Sequence, residues 1–95
     1  MRLFIISYDI TSDERRNDVA KCLLRWGKRL QYSVFEALLS EVQLAELEAE
    51  VDSAINHAED QVLVIDLGDA DGRGADCVES IGKPYTKPVR KALVV

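Results

Sequence analysis

A chain of 95 residues with a hydrophobic fraction of 47% makes one domain of modest size, which leaves much of its surface exposed and gains from oligomerisation. Cys22 and Cys77 lie far apart without Cys-x-x-Cys spacing. That argues against a disulfide framework or a structural zinc and fits free thiols in a reducing cytoplasm. No stretch approaches the ~20 apolar residues of a membrane span, and the apolar run at residues 3–6 ends too early for a signal peptide.

The net charge of −5 argues mildly against nucleic-acid binding, but the charge is polarised. Residues 1–35 carry seven Lys/Arg against four acids, residues 36–80 one Arg against thirteen acids, and residues 81–95 four Lys/Arg and no acid. A basic face can therefore meet a phosphate backbone despite the average. The acidic block reads as solvated surface.

In chain order, residues 2–9 (RLFIISYD) predict a strand. Leu3, Ile5 and Ser7 point one way and Phe4, Ile6 and Tyr8 the other, so both faces are covered. Thr11-Ser12-Asp13-Glu14 has the T-x-x-E form of a capping box. It opens a helix to about Trp26, with Val19, Cys22, Leu23 and Trp26 as its buried stripe and Gly27 as its terminal cap. Residues 29–39 (RLQYSVFEALL) predict two short strands in a hairpin, with the turn inside 31–36. Ser40-Glu41-Val42-Gln43 is a second capping box; its helix runs to about Asn56 or His57 on a stripe of Leu44, Leu47, Val51, Ala54, Ile55 and Ala58. Residues 61–67 (QVLVIDL) form the next strand.

The order βαββαβ predicts an α+β, ferredoxin-like sandwich over residues 1–67. Residues 68–95 form an extension: a GDADGRGAD loop, a short strand candidate at CVESI, an extended KPYTKP and a terminal strand ALVV. An apolar terminal strand is expected to add to a sheet edge, with the edge of a partner chain as one candidate.

If the helices take Phe4, Ile6 and Tyr8, then Leu3, Ile5, Ser7 and Asp9 face away from them. An apolar sheet face without helices asks for a second subunit, and a two-fold dimer on that face brings one Asp9 towards its mate. Two close carboxylates repel, and a hard cation such as Mg²⁺ relieves that and can activate water or a phosphodiester. Spacing alone also allows, and favours, the plainer role of a strand-end acid or helix cap. Arg15 and Arg16 oppose the helix dipole at their position and so hint at an anionic ligand, although Asp13 and Glu14 could neutralise them. Arg29 shares strand parity with Gln31 and Ser33 and is a candidate for the same surface. Tyr8 and Phe35 are aromatic candidates there, with core packing the commoner role. A single histidine, His57, excludes a paired-histidine ribonuclease mechanism within one chain. No Ser-His-Asp triad can be assembled, and GDADGRG matches neither a P-loop nor an EF-hand.

Tyr8-Asp9-Ile10, Arg15-Arg16-Asn17, the helix ending at Gly27, and above all Lys28-Arg29-Leu30-Gln31-Tyr32-Ser33-Val34-Phe35-Glu36 together resemble the CRISPR-associated adaptation proteins of the "Cas two" family. The resemblance covers residues 1–67 and continues more loosely through Ile81-Gly82-Lys83. It implies a homodimer whose last strand pairs with the other subunit. It implies work in spacer capture beside the "Cas one" integrase, and nucleic-acid binding to double-stranded DNA, with single-stranded RNA as an alternative. Family members are also described as Mg²⁺- or other divalent-metal-dependent nucleases; in that picture Asp9 from both subunits holds the metal. Tyr8, Arg15, Arg16, Arg29 and Phe35 fall in motifs tied to activity or substrate contact. Asp18 stands where a further basic residue sometimes follows the arginine pair. A related toxin-type endoribonuclease, a non-catalytic adaptor, and a ferredoxin-like regulatory module are the alternative readings.

Overall fold

The computed structural model describes residues 1–88; the expected terminal strand ALVV lies outside the described residues. The elements are β1 (Arg2–Asp9), α1 (Asp13–Trp26), β2 (Lys28–Gln31), β3 (Val34–Leu39), α2 (Glu41–Ala54), β4 (Gln61–Asp69) and a short 3₁₀ turn at Arg73–Asp76. The four strands form one antiparallel sheet in the order β2-β3-β1-β4, and the chain is the α+β, ferredoxin-like sandwich that the element order implies.

Alternation along β1 decides how the layers stack. Phe4, Ile6 and Tyr8 enter the core with Phe35, Ala37 and Leu39 of β3, and the two helices close over them with Val19, Cys22, Leu23, Leu47 and Val51. Burial of this set is the main driving force for the fold. Ile5 and Ser7 point to the other face, opposite Ile65 and Leu63 of β4. Leu63 and Ile65 remain 48% and 45% exposed, so an apolar stripe stays on that face. A bulge skips Leu67 between the pairs Leu3↔Gly68 and Phe4↔Asp66, next to the start of β1.

Ser40 makes the full capping box expected of it, with Gln43 returning the bond to the Ser40 amide. The first helix differs by one residue. Its N-cap is Ser12, which accepts from the Arg15 amide, and Thr11 stands outside. The residue three past the cap is then Arg15, so no reciprocal box closes. The second helix stops at Ala54, earlier than its apolar stripe, with Ile55 as the cap.

The hairpin turns at Tyr32 and Ser33, within the expected window. A second bulge lies between Arg29 and Gln31: Arg29 stands opposite Phe35, but Gln31 stands opposite Val34. The skipped Leu30 breaks the period of two, so Arg29 and Gln31 do not share a face as simple parity expects.

Residues from Gly68 onward hold no strand at 77–81 among the described residues, although CVESI was a strand candidate. The short turn packs against β4 and β1. Further on, Tyr85 and Thr86 reach Glu36 and Lys28. The chain thus crosses the face opposite the helices, from the β4 end towards β2 and β3.

Gly27 ties α1 to the sheet. Its backbone is extended, with φ at −159°, so glycine is needed there for space. A Cβ would sit 2.0 Å from the Glu36 carbonyl oxygen and 3.0 Å from the Ala37 Cβ. Gly27→Ala is expected to destabilise the domain by about 1–3 kcal/mol, lowering the thermal midpoint by roughly 5–20 °C. An unchanged midpoint in calorimetry would contradict this account of the helix–strand junction.

Candidate nucleic-acid and metal site

Asp9 is the last residue of β1, exposed, and paired through its backbone with Gln61 at the start of β4. Its carboxylate meets no cation and accepts no hydrogen bond among the described residues. By alternation it lies on the face of Ile5, Ser7, Leu63 and Ile65. An anionic oxygen pair left without a partner at the rim of an apolar face is a fitting donor for a hard cation. One protomer offers no cluster of three or more metal-ligating side chains among the described residues.

Tyr8 turns the opposite way. It is buried, its ring stacks on Phe35 at a centroid distance of 6.0 Å, and its hydroxyl donates to the Tyr32 carbonyl at 3.2 Å. Phe35 is 1% exposed. Both rings are therefore core residues that support the hairpin from beneath, and Arg29 is the group that reaches solvent. Its guanidinium lies 5.0 Å above the Phe35 ring, an arrangement that holds a cation in place while leaving its donors available.

Arg16 is anchored at the other end of the same ladder. It donates to the Ile10 carbonyl at 3.2 Å, pairs with Asp13, and places its guanidinium 5.9 Å from the centre of the Tyr32 ring. The structure thus brings Arg16, Tyr32, Tyr8, Phe35 and Arg29 into one continuous series around the hairpin, with Asp9 on the reverse face of the strand end that carries Tyr8.

Arg15 belongs elsewhere. Its guanidinium forms a two-pronged pair with Asp60, Nε to Oδ2 at 2.7 Å and Nη2 to Oδ1 at 3.1 Å. The Asp60 side chain has no exposed surface and also accepts from the Asn56 amide at 2.8 Å. The pair bolts the start of α1 to the turn before β4. The Arg15 bond is the main reason the Asp60 carboxyl is held below the ordinary carboxylate range.

Two features had no place in the sequence reading. Glu36, in the QYSVFE block, is 2% exposed on the face opposite the helices. It accepts from the Tyr85 hydroxyl at 2.5 Å and lies 3.8 Å from Lys28 Nζ. Burial first, and then the bond to Glu36, push the Tyr85 hydroxyl well above its ordinary value. The clamp pins residues 85–86 across the sheet. Tyr32, from the same block, stands 70% exposed at the hairpin tip. Membership of the block was the only available signal for either.

The family model for CRISPR associated protein Cas2 matches residues 1–73. The chain belongs to the Cas2 family. A relative from Geobacter sulfurreducens, called CRISPR-associated endoribonuclease Cas2, is 39% identical over 98% of this chain and 97% of its own length. A Thermus thermophilus crystal structure described as a hypothetical protein superposes with a TM-score of 0.78 at 29% identity, over 92% of this chain and 98% of that one. A chain of a partial Cas6-RT-Cas1–Cas2 complex shares the fold, with a TM-score of 0.73 at 23% identity and full coverage of both chains. No helix among the described residues of this Cas2 chain is long and apolar enough to cross a membrane.

The Arg15–Asp60 pair makes the fold sensitive to acid. With the folded carboxyl below its unfolded value, the pair's contribution is full above about pH 4 and is lost as pH falls through the folded value. Asp60→Asn should lower the urea midpoint at neutral pH and flatten its fall as pH drops below about 4. An identical pH slope in the variant would rule out this pair as a source of acid sensitivity.

Proposed function

We propose that this Cas2 chain acts as a cytoplasmic homodimer in CRISPR adaptation, where it binds double-stranded DNA beside the Cas1 integrase. We further propose that Asp9 of both protomers holds Mg²⁺, or another divalent cation, for phosphodiester hydrolysis. The observation that carries the reading is Asp9 itself: a carboxylate without a partner among the described residues, at the rim of a sheet face that keeps Leu63 and Ile65 about half exposed. Among the described residues, neither the apolar stripe nor the carboxylate is used. A two-fold partner on that face would bury the stripe and set two carboxylates side by side.

The sheet edge supports the same assembly. β4 is an outer strand of nine residues whose far side pairs with no strand among the described residues. Such an edge is a template for another strand. A partner's terminal segment is its expected occupant, and residues 68–95 are the extension that would deliver it.

Two uncompensated carboxylates at short range favour a divalent cation over a proton at neutral pH. When bound, the cation would supply Lewis-acid activation of water and of the phosphodiester. The chain's own residues do the rest. Arg29, held on Phe35, and Arg16, held by Ile10 and Asp13, provide guanidinium donors for phosphate oxygens. Tyr8 and Phe35 act beneath them by fixing the hairpin. Arg15 contributes through α1 placement, since Asp60 occupies its donors.

Support for DNA and Cas1 as partners comes from family membership and from the fold shared with a chain of a Cas1–Cas2 complex. The name of the Geobacter relative favours RNA as the alternative substrate. A second reading keeps the dimer and the basic surface but omits turnover, with Cas2 as a bridge only. Family membership argues against the metabolite-binding module.

Cleavage of labelled duplex DNA and single-stranded RNA by the purified protein, with Mg²⁺ and with EDTA, separates these readings. Cutting is expected with Mg²⁺ only, and Asp9→Ala should reduce it to background while the dimer persists in sedimentation. Cutting that survives Asp9→Ala would overturn the metal-ligand role. Duplex binding without cutting by either protein would establish the bridge instead.

A further inference from the structure

The hairpin tip holds a group that neither the fold nor the metal reading uses. Tyr32 is 70% exposed, whereas Tyr8 and Phe35 beneath it are buried. Its placement is nonetheless fixed. The Tyr8 hydroxyl bonds its carbonyl at 3.2 Å, and Arg16 lies 5.9 Å from its ring centre. Arg16 is itself held by the Ile10 carbonyl and Asp13, with its side chain 22% exposed. One face of the ring therefore meets a restrained cation, and the high exposure of the residue leaves ring surface open to solvent.

A pre-placed aromatic ring with an open face costs little ordering entropy when a flat ligand stacks on it. It also lies within the same series of side chains as the two arginines, whose guanidiniums suit phosphate. A stacking surface flanked by phosphate donors is the chemistry of single-stranded nucleic-acid binding. A base inside a duplex has both faces occupied by its neighbours. A protruding ring can stack only on a base that is unpaired, at an end, in an overhang or in a single strand.

We propose that Tyr32 is a stacking platform for an unpaired nucleobase, flanked by Arg16 and Arg29 as phosphate contacts, so that this surface discriminates nucleic acids with single-stranded ends from blunt duplexes. The inference rests on the reading of this chain as a nucleic-acid binder. It adds which structural form of nucleic acid the hairpin selects and which side chain selects it. Stacking needs the ring and not the hydroxyl. The phosphate contacts remain when the ring is removed.

The test compares native protein, Tyr32→Ala and Tyr32→Phe, all full-length. Three ligands are titrated by fluorescence anisotropy: a blunt DNA duplex, the same duplex with a short 3′ overhang, and a short single-stranded RNA. A 2-aminopurine placed in the overhang reports stacking directly. Tyr32→Ala is expected to weaken overhang and single-strand binding by about tenfold, to abolish the 2-aminopurine quench, and to leave blunt-duplex binding unchanged. Tyr32→Phe should behave as native. Equal affinities of native protein and Tyr32→Ala for the overhang ligand would overturn the platform while leaving the functional reading intact. An equal loss on the blunt duplex would also overturn it, by showing that Tyr32 acts only through Arg16. Native protein that binds none of the three ligands would overturn the functional reading itself, and the platform with it.

Discussion

Everything in this molecule depends on the position of β1 between β3 and β4. A strand with neighbours on both edges cannot slip by one residue without turning its whole core set outward. Phe4, Ile6 and Tyr8 are therefore committed to the helices, and Ile5, Ser7 and Asp9 to the other face. The register that buries the core also delivers a carboxylate to the rim of the opposite face. Fold and candidate chemistry are two consequences of one alternation.

The arginines show how context reassigns similar residues. Arg15 and Arg16 are neighbours on the first turn of α1, yet Asp60 takes the donors of one and the hairpin region holds the other. Arg15 becomes a bolt between α1 and the turn before β4. Arg16 and Arg29 bracket a ladder of rings whose inner members are core and whose outer member is exposed. On the reverse side, Glu36 and Lys28 hold residues 85–86, so the extension crosses the sheet along a defined path. The QYSVFE block thus serves both faces at once, through Tyr32 and Phe35 on one and Glu36 on the other.

Local signals in the sequence carried most of the architecture. Alternation in residues 2–9, the Ser40 box and Gly27 as the cap of α1 each act within a few residues, where propensity and spacing speak directly. What escaped was long-range or defect-driven. Nothing in the sequence links Arg15 to an acid 45 positions away. The bulge at Leu30 broke a parity argument that holds only for regular strands, and the choice of Ser12 over Thr11 as cap shifted which residue sits three places later. Residues 70–88 carry no period, so the clamp that fixes their path was invisible. Asp9 was legible as a candidate because a charged residue ending an apolar strand is conspicuous; that no described residue pairs with its carboxylate became visible only with the fold.

The central claim is that two Asp9 carboxylates, one from each protomer, act together on one cation. Subunit mixing tests it most directly: native and Asp9→Ala chains are unfolded together, refolded at varied ratios, and assayed for Mg²⁺-dependent cleavage. The account predicts activity that follows the square of the native fraction, because only dimers with both carboxylates would cut. Activity in linear proportion to the native fraction would show that each protomer works alone, and would contradict the shared site.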